Sequence, residues 1–135
     1  MSASAPATDG RRLPVLVGVG LGGALGSAAR YGLGVAFPDP VGSGWPWTTF
    51  AINLSGTALL AALVALPLAR RSAWWRAALG PGLLGGYTTF SATSEQARAL
   101  LADDRAVVAL GYLALTFASC VLAAVLVGRA VRERA

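Results

Sequence analysis

The residues able to do chemistry crowd into one stretch. From Gly80 to Gln96 the chain reads GPGLLGGYTTFSATSEQ, in which Thr88, Thr89, Ser91, Thr93 and Ser94 supply closely spaced hydroxyls beside Tyr87 and Phe90. Hydroxyl hydrogens can replace the water around an anion, and the positive edge of an aromatic ring can face one too. The same stretch is rich in glycine, and an apolar helix carrying so much glycine and hydroxyl is predicted to break there. Carbonyls freed by a break can hold a small hard cation. Other chemistries are excluded by composition. The chain has no His, which removes hydrolases that use His as a base, and its one cysteine, Cys120, leaves neither an internal disulfide nor a thiol–imidazole metal centre.

Further polar residues stand in apolar surroundings. Asn53 has Ser55 beside it and Thr57 one turn on. An amide in lipid is costly unless hydrogen-bonded, so Asn53 reads either as glue between helices or as an N–H aimed at an anion. Arg30 lies near the end of an apolar run, where a charge costs roughly 2.5–3.5 kcal/mol on insertion scales. It snorkels to the interface, attracts anions at a vestibule, or pairs with a neighbouring helix. Tyr112, Thr116 and Cys120 recur at i, i+4 and i+8 and make one stripe on a helix. Gly18-Val-Gly-Leu-Gly-Gly23 matches G-x-G-x-x-G with Asp39 downstream, but the dinucleotide reading needs a preceding strand, and here the glycines sit inside one apolar run. Gly18, Gly22 and Gly26 read better as a small-xxx-small packing face.

The elements that must hold these residues are membrane spans. Hydrophobic residues make up 56% of the 135 and charged ones 13%, about half the share in ordinary soluble domains. The apolar residues fall in four long blocks. Residues 1–12 are expected to be a disordered N-terminus, 13–130 a single four-span membrane domain, and 131–135 a C-terminal tail. The spans are placed at about 13–37, 47–68, 77–101 and 107–127. Arg11-Arg12 before an apolar run has the look of a twin-arginine signal, but the run is too long and three more spans follow. The fold class is an all-α membrane protein of four transmembrane helices, the third broken. Such a bundle is too small to enclose a pore alone, which implies an oligomer.

Charge placement speaks to topology rather than to nucleic acid. All eleven basic residues are Arg and the net charge is +5. With four spans, one side carries Arg11, Arg12, Arg70, Arg71, Arg76, Arg129, Arg132 and Arg134, while the other clearly has only Arg105, with Arg98 near the membrane edge. This bias predicts a multi-pass cell-membrane protein with both termini in the cytoplasm.

Taken together these residues resemble a known family. The segment GGYTTFS (Gly85–Ser91) resembles the signature of the small fluoride channels called Fluc or CrcB, and the likeness extends to GGALGSAARY in span one, TTFAINLSGT in span two and the Tyr112/Thr116 stripe in span four. The resemblance implies two subunits packed antiparallel in the lipid membrane, with narrow fluoride paths along their interface, and a passive channel rather than an enzyme. It implies a structural sodium ion, not transported, held at the dimer centre by backbone carbonyls at Gly85 and Thr88. Along the fluoride path it implies Asn53, Phe90, Tyr112, Thr116 and the span-one arginine Arg30. Thr89, Ser91 and Thr93 join them as hydroxyl donors from the third span.

Two departures from the family pattern bear on assembly. The family commonly reads TTFSTFS where this chain reads TTFSATS, so Thr93 stands in place of a second phenylalanine; a usual glutamate falls on Gln96, with Glu95 one place early. A homodimer whose copies insert both ways needs near balance of charge, which the arginine bias denies. A heterodimer with an inverted homologous subunit is therefore expected, in which this chain is a conducting, half-conducting or non-conducting partner. A small multidrug-type exporter also has four short spans, but needs a carboxylate on span one, and span one here has none.

Overall fold

The computed structural model describes residues 12–40, 44–66 and 72–134, and these are helical with no strand among them. The N-terminal segment expected at 1–12 lies outside the described residues except for Arg12, which already begins a helix; Arg11, Arg70 and Arg71 lie outside them as well. Three helices among the described residues are long and apolar enough to cross a membrane: α1 (Arg12–Ala36), α2 (Trp47–Ala65) and α6 (Ala106–Arg134), with mean hydropathies of 1.4, 1.6 and 2.3. At 1.5 Å per residue even α2, the shortest, reaches about 28 Å, close to the hydrocarbon thickness of a bilayer.

The fourth crossing is made of pieces. It begins as α3 (Ala73–Ala77), widens into a π-helical segment (Ala78–Leu84), tightens to α4 (Gly85–Tyr87), opens at Thr88–Thr89, and resumes as α5 (Phe90–Ala102). Pro81 explains the widening. It has no N–H to give and its ring would strike the carbonyl four residues back, so the helix takes up an extra residue per turn. Ser72 caps α3 by accepting from the Trp75 N–H at 3.5 Å, so the helix leading into this crossing starts at Ala73.

Glycine decides how the first half of this crossing packs. Gly18, Gly22 and Gly26 are buried on one face of α1. A methyl added at Gly22 would overlap the Ala78 carbonyl oxygen, and one at Gly26 the Leu83 carbonyl oxygen. The backbones touch, as the four-residue spacing predicts, and since Gly18 meets Trp74 and Gly26 meets Leu83, the two segments run side by side in the same direction. The second half turns away from α1 and lies on α6, which also packs along α2. A tight turn joins α5 to α6. Asp104 takes φ 58°, and the N–H groups of Asp104 and Arg105 return to the carbonyls of Leu101 (3.2 Å) and Leu100 (2.9 Å), a Schellman closure with Asp in the left-handed position. α6 then continues to Arg134, so residues 131–134 of the expected tail are helical.

The outside of the bundle is apolar. Val107 is 86% exposed, Leu25 66%, Val35 64% and Val121 64%, a surface that suits lipid and that a soluble monomer does not show. Inside, a small cluster of Ala97, Leu100, Ala109 and Tyr112 joins α5 to α6, with Trp45 and Phe50 packed against it.

Candidate functional site

The opening at Thr88–Thr89 is stabilised by one side chain from the neighbouring helix. Thr88 and Thr89 are extended (ψ 158° and 121°), which ends helical bonding between α4 and α5. Asn53 of α2 fills the gap. Its Oδ1 accepts the Thr89 N–H at 2.8 Å, and its Nδ2 donates to the Thr89 carbonyl at 3.0 Å and to Thr93 Oγ1 at 2.9 Å. The Thr89 N–H can face only an oxygen, which fixes the orientation of the amide. Asn53 is buried and acts as glue between helices, with both amide hydrogens used inside the chain. Gly56, a turn further along α2, lets the helix approach the break; a methyl there would overlap Thr88 and crowd Tyr87.

The consequences for the backbone carbonyls follow directly. In an unbroken helix the Thr89 N–H would bond to Gly85 and the Ala92 N–H to Thr88. Here the first goes to Asn53 and the second to Thr89 Oγ1 at 3.1 Å, the N-cap of α5. The carbonyls of Gly85 and Thr88 are thereby released. The Gly86 carbonyl is treated differently: Ser27 Oγ donates to it at 3.4 Å and Arg30 Nε at 3.3 Å. Arg30 thereby pairs with a neighbouring helix through its Nε.

Beside the break lies a cleft of about 220 Å³ between α2, α5 and α6, lined by Asn53, Thr57, Thr88, Thr89, Phe90, Thr93, Thr116, Phe117 and Cys120. Its wall is neutral. Phe90, at the first position of α5, is 69% exposed and leans on Phe117 with ring centroids 6.0 Å apart. Thr93 Oγ1 has its only hydrogen committed, donating to the Thr89 carbonyl at 3.1 Å while accepting from Asn53. Thr116 is different: its hydroxyl is buried and has no hydrogen-bond partner among the described residues. A buried hydroxyl without a partner costs about 1–3 kcal/mol, so its place in the wall of a cleft invites a ligand that accepts a hydrogen bond.

Of the residues singled out from sequence, the cleft gathers Asn53, Thr57, Thr88, Thr89, Phe90, Thr93, Thr116 and Cys120. Ser91 stays outside it, exposed, with its hydroxyl 3.2 Å from that of Thr89. Arg30 lies on the α1 side of the break, half-buried. Tyr112 is buried beyond the cleft, in a second polar network. Its hydroxyl donates to Gln96 Oε1 at 2.8 Å; Gln96 Nε2 donates to Asp39 Oδ2 at 2.9 Å and to Thr49 Oγ1 at 2.8 Å. Asp39 also accepts the N–H groups of Thr48 (2.7 Å) and Thr49 (3.0 Å), and so caps α2 from the preceding loop where Pro46 cannot. The indole of Trp45 meets the Tyr112 ring edge-on at 5.5 Å, and its buried N–H has no partner among the described residues. Sequence reasoning missed the roles of Asp39 and Gln96. The available signal was that Asp39 is the sole acid between residues 10 and 94 and lies shortly before the start of α2.

Known proteins resemble this chain over most of its length. The family model described as CrcB-like protein, Camphor Resistance (CrcB), matches residues 17–129. A protein named fluoride-specific ion channel FluC 1 from Streptomyces coelicolor is 42% identical over 118 residues, covering 84% of this chain and 76% of its own. A fluoride-specific ion channel FluC from a Caulobacter species is 48% identical over 91 residues (65% and 70%), and a FluC 2 from Nocardia farcinica is 38% identical over 117 (83% and 81%). These relatives are ion channels, not enzymes. With a helical membrane bundle, a third crossing broken at its glycine- and hydroxyl-rich centre, and relatives matched over most of their length, the chain belongs to the CrcB family of fluoride-specific ion channels.

Proposed function

We propose that this chain is one subunit of an antiparallel dimeric channel that lets fluoride leave the cytoplasm passively, in a cell membrane with both termini on the cytoplasmic side. The observation that carries the reading is the neutral cleft at the helix break, where the buried Thr116 hydroxyl has no partner and the Phe90 ring stands exposed at the rim. Fluoride is small and tightly hydrated. A path must replace that water with close donors yet hold the ion weakly enough to release it, and neutral hydroxyls and ring edges do both. Asn53 acts by holding the break open, Thr89 and Thr93 by bracing it, and Phe90 and Thr116 by facing the ion. Ser91 and the Tyr112–Gln96 pair flank the path, and Arg30 fixes α1 against the turn that precedes it. Hydrogen fluoride crosses membranes neutrally and dissociates inside, after which the negative membrane potential drives the anion out.

The released carbonyls of Gly85 and Thr88 suit a structural sodium ion. No group of three or more His, Cys, Asp or Glu lies together among the described residues, so the available donors are neutral oxygens, which favour a hard monovalent cation over a transition metal. The ion would supply a fixed positive charge where the two subunits meet.

Pairing with an inverted relative, as a heterodimer, is the more specific form of this reading. Thr93 offers neither a ring nor a free hydroxyl, because both its bonds are used in bracing the break. Arg12, Arg76, Arg129, Arg132 and Arg134 all belong to the same end of the bundle, as the direction of the helices requires. The test is fluoride efflux from liposomes, followed with a fluoride electrode. Efflux from this chain alone overturns obligate pairing; efflux only with an inverted homologue supports it; none in either case sinks the channel reading.

A further inference from the structure

A second cavity, of about 380 Å³, adjoins the cleft at Thr57, which lines both. It lies between α2 and α6 toward the arginine-bearing end of the bundle, walled by Leu60, Ala61, Val64, Ala65, Ala124 and Gly128. Arg132 stands at the end furthest from Thr57 and is the one charged residue on the wall among the described residues. The row of α6 that lines the cleft at Thr116 and Cys120 continues at four-residue spacing through Ala124 and Gly128 to Arg132. From Cys120 to Arg132 that row covers about 18 Å at 1.5 Å per residue. The arginine side chain folds back along it. Its Nε donates to the Gly128 carbonyl at 2.9 Å, and a Cβ on Gly128 would come within 3.4 Å of Nη2. This turns the guanidinium toward the cavity, with no carboxylate paired to it among the described residues. A charge at the end of a cleft with low-dielectric walls projects a focused field along it, which raises the local concentration of counter-ions and their entry rate by roughly 10–10³.

We propose that this α2–α6 groove is a water-filled mouth leading to the cleft, and that Arg132 is its collector, concentrating small anions at the entrance without ligating them in the cleft. That the anion is fluoride and the side cytoplasmic rests on the channel reading above; that the groove is wet and attracts anions does not. The distance matters. A cation inside the cleft would hold an anion too firmly to release it, whereas one about 18 Å of helix away raises the rate of arrival and leaves the neutral contacts of the cleft weak. The bond to the Gly128 carbonyl fixes the position of the charge, and the missing side chain at Gly128 leaves room for it.

The experiment uses the full chain, with its partner if one is required, reconstituted in liposomes, and takes two readouts. The first is the labelling rate of Ala124→Cys in a Cys120→Ser background, which removes the only native thiol. Labelling is followed by intact mass spectrometry. The probes are an anionic (sulfonate) and a cationic (quaternary ammonium) methanethiosulfonate, each rate divided by that for free cysteine. Ala124→Cys is expected to react, with the anionic probe favoured several-fold; Ala61→Cys, across the groove, serves if that variant does not fold. Val121→Cys, 64% exposed on the apolar outside of α6, stays unlabelled. Adding Arg132→Gln abolishes the preference and Arg132→Lys restores most of it. Arg134→Gln, which changes an exposed arginine outside the groove wall, leaves it intact. The second readout is fluoride efflux. Arg132→Gln is expected to slow it about threefold or more in about 0.01 M salt, where charges are felt over about 30 Å, and to match the parent in about 1 M salt, where they reach about 3 Å. Unreactive groove cysteines, a probe preference that survives Arg132→Gln, or an efflux loss equal at both salt concentrations each overturns the proposal. If no form conducts, the failure belongs to the channel reading, and the labelling rates alone decide the mouth.

Discussion

The two halves of the third crossing are held by opposite means. Before the break, Ala73–Tyr87 meets α1 mainly through close backbone contact: Gly22 and Gly26 lie against the carbonyls of Ala78 and Leu83, and a methyl on Gly86 would crowd the Gly23 backbone, with Ser27 and Arg30 adding hydrogen bonds to the Gly86 carbonyl at its end. After the break, Phe90–Ala102 meets α2 and α6 through polar side chains, with Asn53, Thr93, Gln96, Thr49 and Tyr112 joined by hydrogen bonds of 2.8–3.1 Å. In lipid there is no hydrophobic drive between helices, so close packing and hydrogen bonds are what remain, and this chain uses one on each side. The face that the first half shares with α1 should therefore tolerate no added atom, and the second half no lost donor. The cleft sits where the two regimes meet.

The sharpest way to break this contrast is to add volume to the first half. Gly26→Leu forces side-chain atoms into the Leu83 carbonyl, where backbone cannot give way. Overpacking typically costs about 1–3 kcal/mol and more where backbone is struck, and the expected result is no folded, monodisperse protein in detergent. Gly20→Ala and Gly34→Ala, on the same helix but with nothing within 4 Å, should change stability by no more than about 1 kcal/mol in the favourable direction. A Gly26→Leu chain that melts like the parent would show that α1 does not rest on the π-helical segment.

Removing a donor from the second half comes next. Asn53→Leu strips three hydrogen bonds, leaving the Thr89 N–H bare and the Thr89 carbonyl and Thr93 hydroxyl each short of one partner. At about 1–3 kcal/mol for each buried group left bare, a loss of roughly 2–5 kcal/mol is expected, together with fluoride efflux. Asn53→Asp keeps the acceptor for the Thr89 N–H but cannot donate, and should fall between. Thermal unfolding checks the first effect and liposome efflux the second; an Asn53→Leu chain that conducts normally would show that the break does not depend on α2.

The contrast also marks what could be read in advance. Four apolar blocks, the glycine face of α1 and the opening near Thr88 are local properties of composition and spacing, and all were legible. The rest depends on residues far apart in the chain. Asp39 caps α2 and reaches Gln96 across 57 positions, and no periodicity reports such a contact. Arg30 left three readings open, and the partner that the structure gives it, the Gly86 carbonyl, is 56 residues away. Pro81 was visible, but its effect, a π-helical stretch separate from the break itself, could not be told from the break by composition alone. Tyr112 and Thr116 share a stripe, yet only Thr116 faces the cleft, since Gln96 claims the tyrosine hydroxyl.

A charge placed in the second half gives a smaller, coupled effect. Gln96→Glu exchanges an N–H₂ that serves Asp39 and Thr49 for a carboxylate beside the one at Asp39. Repulsion and the lost bonds should cost about 1–3 kcal/mol at neutral pH. Adding Asp39→Asn to Gln96→Glu restores a donor–acceptor pair and should recover a good part of it, while Asp39→Asn alone weakens the cap of α2. A double-mutant cycle by thermal unfolding measures the coupling; additive losses would mean that Gln96 is not held by Asp39.

The smallest change in stability is the most informative, because its sign should oppose the change in function. Thr116→Val keeps the shape of a buried side chain and removes a hydroxyl that has no partner among the described residues. Most polar deletions around the break release a neighbour's hydrogen bond and so destabilise. Here nothing is released, and the parent already carries the cost of a dry hydroxyl, so stability should hold or rise by about 1 kcal/mol. If that hydroxyl faces the passing anion, efflux should nonetheless fall, since a methyl cannot replace a water of hydration. A chain that becomes less stable would mean that Thr116 has a structural partner after all, and one that conducts unchanged would place the path elsewhere than the α2–α5–α6 cleft.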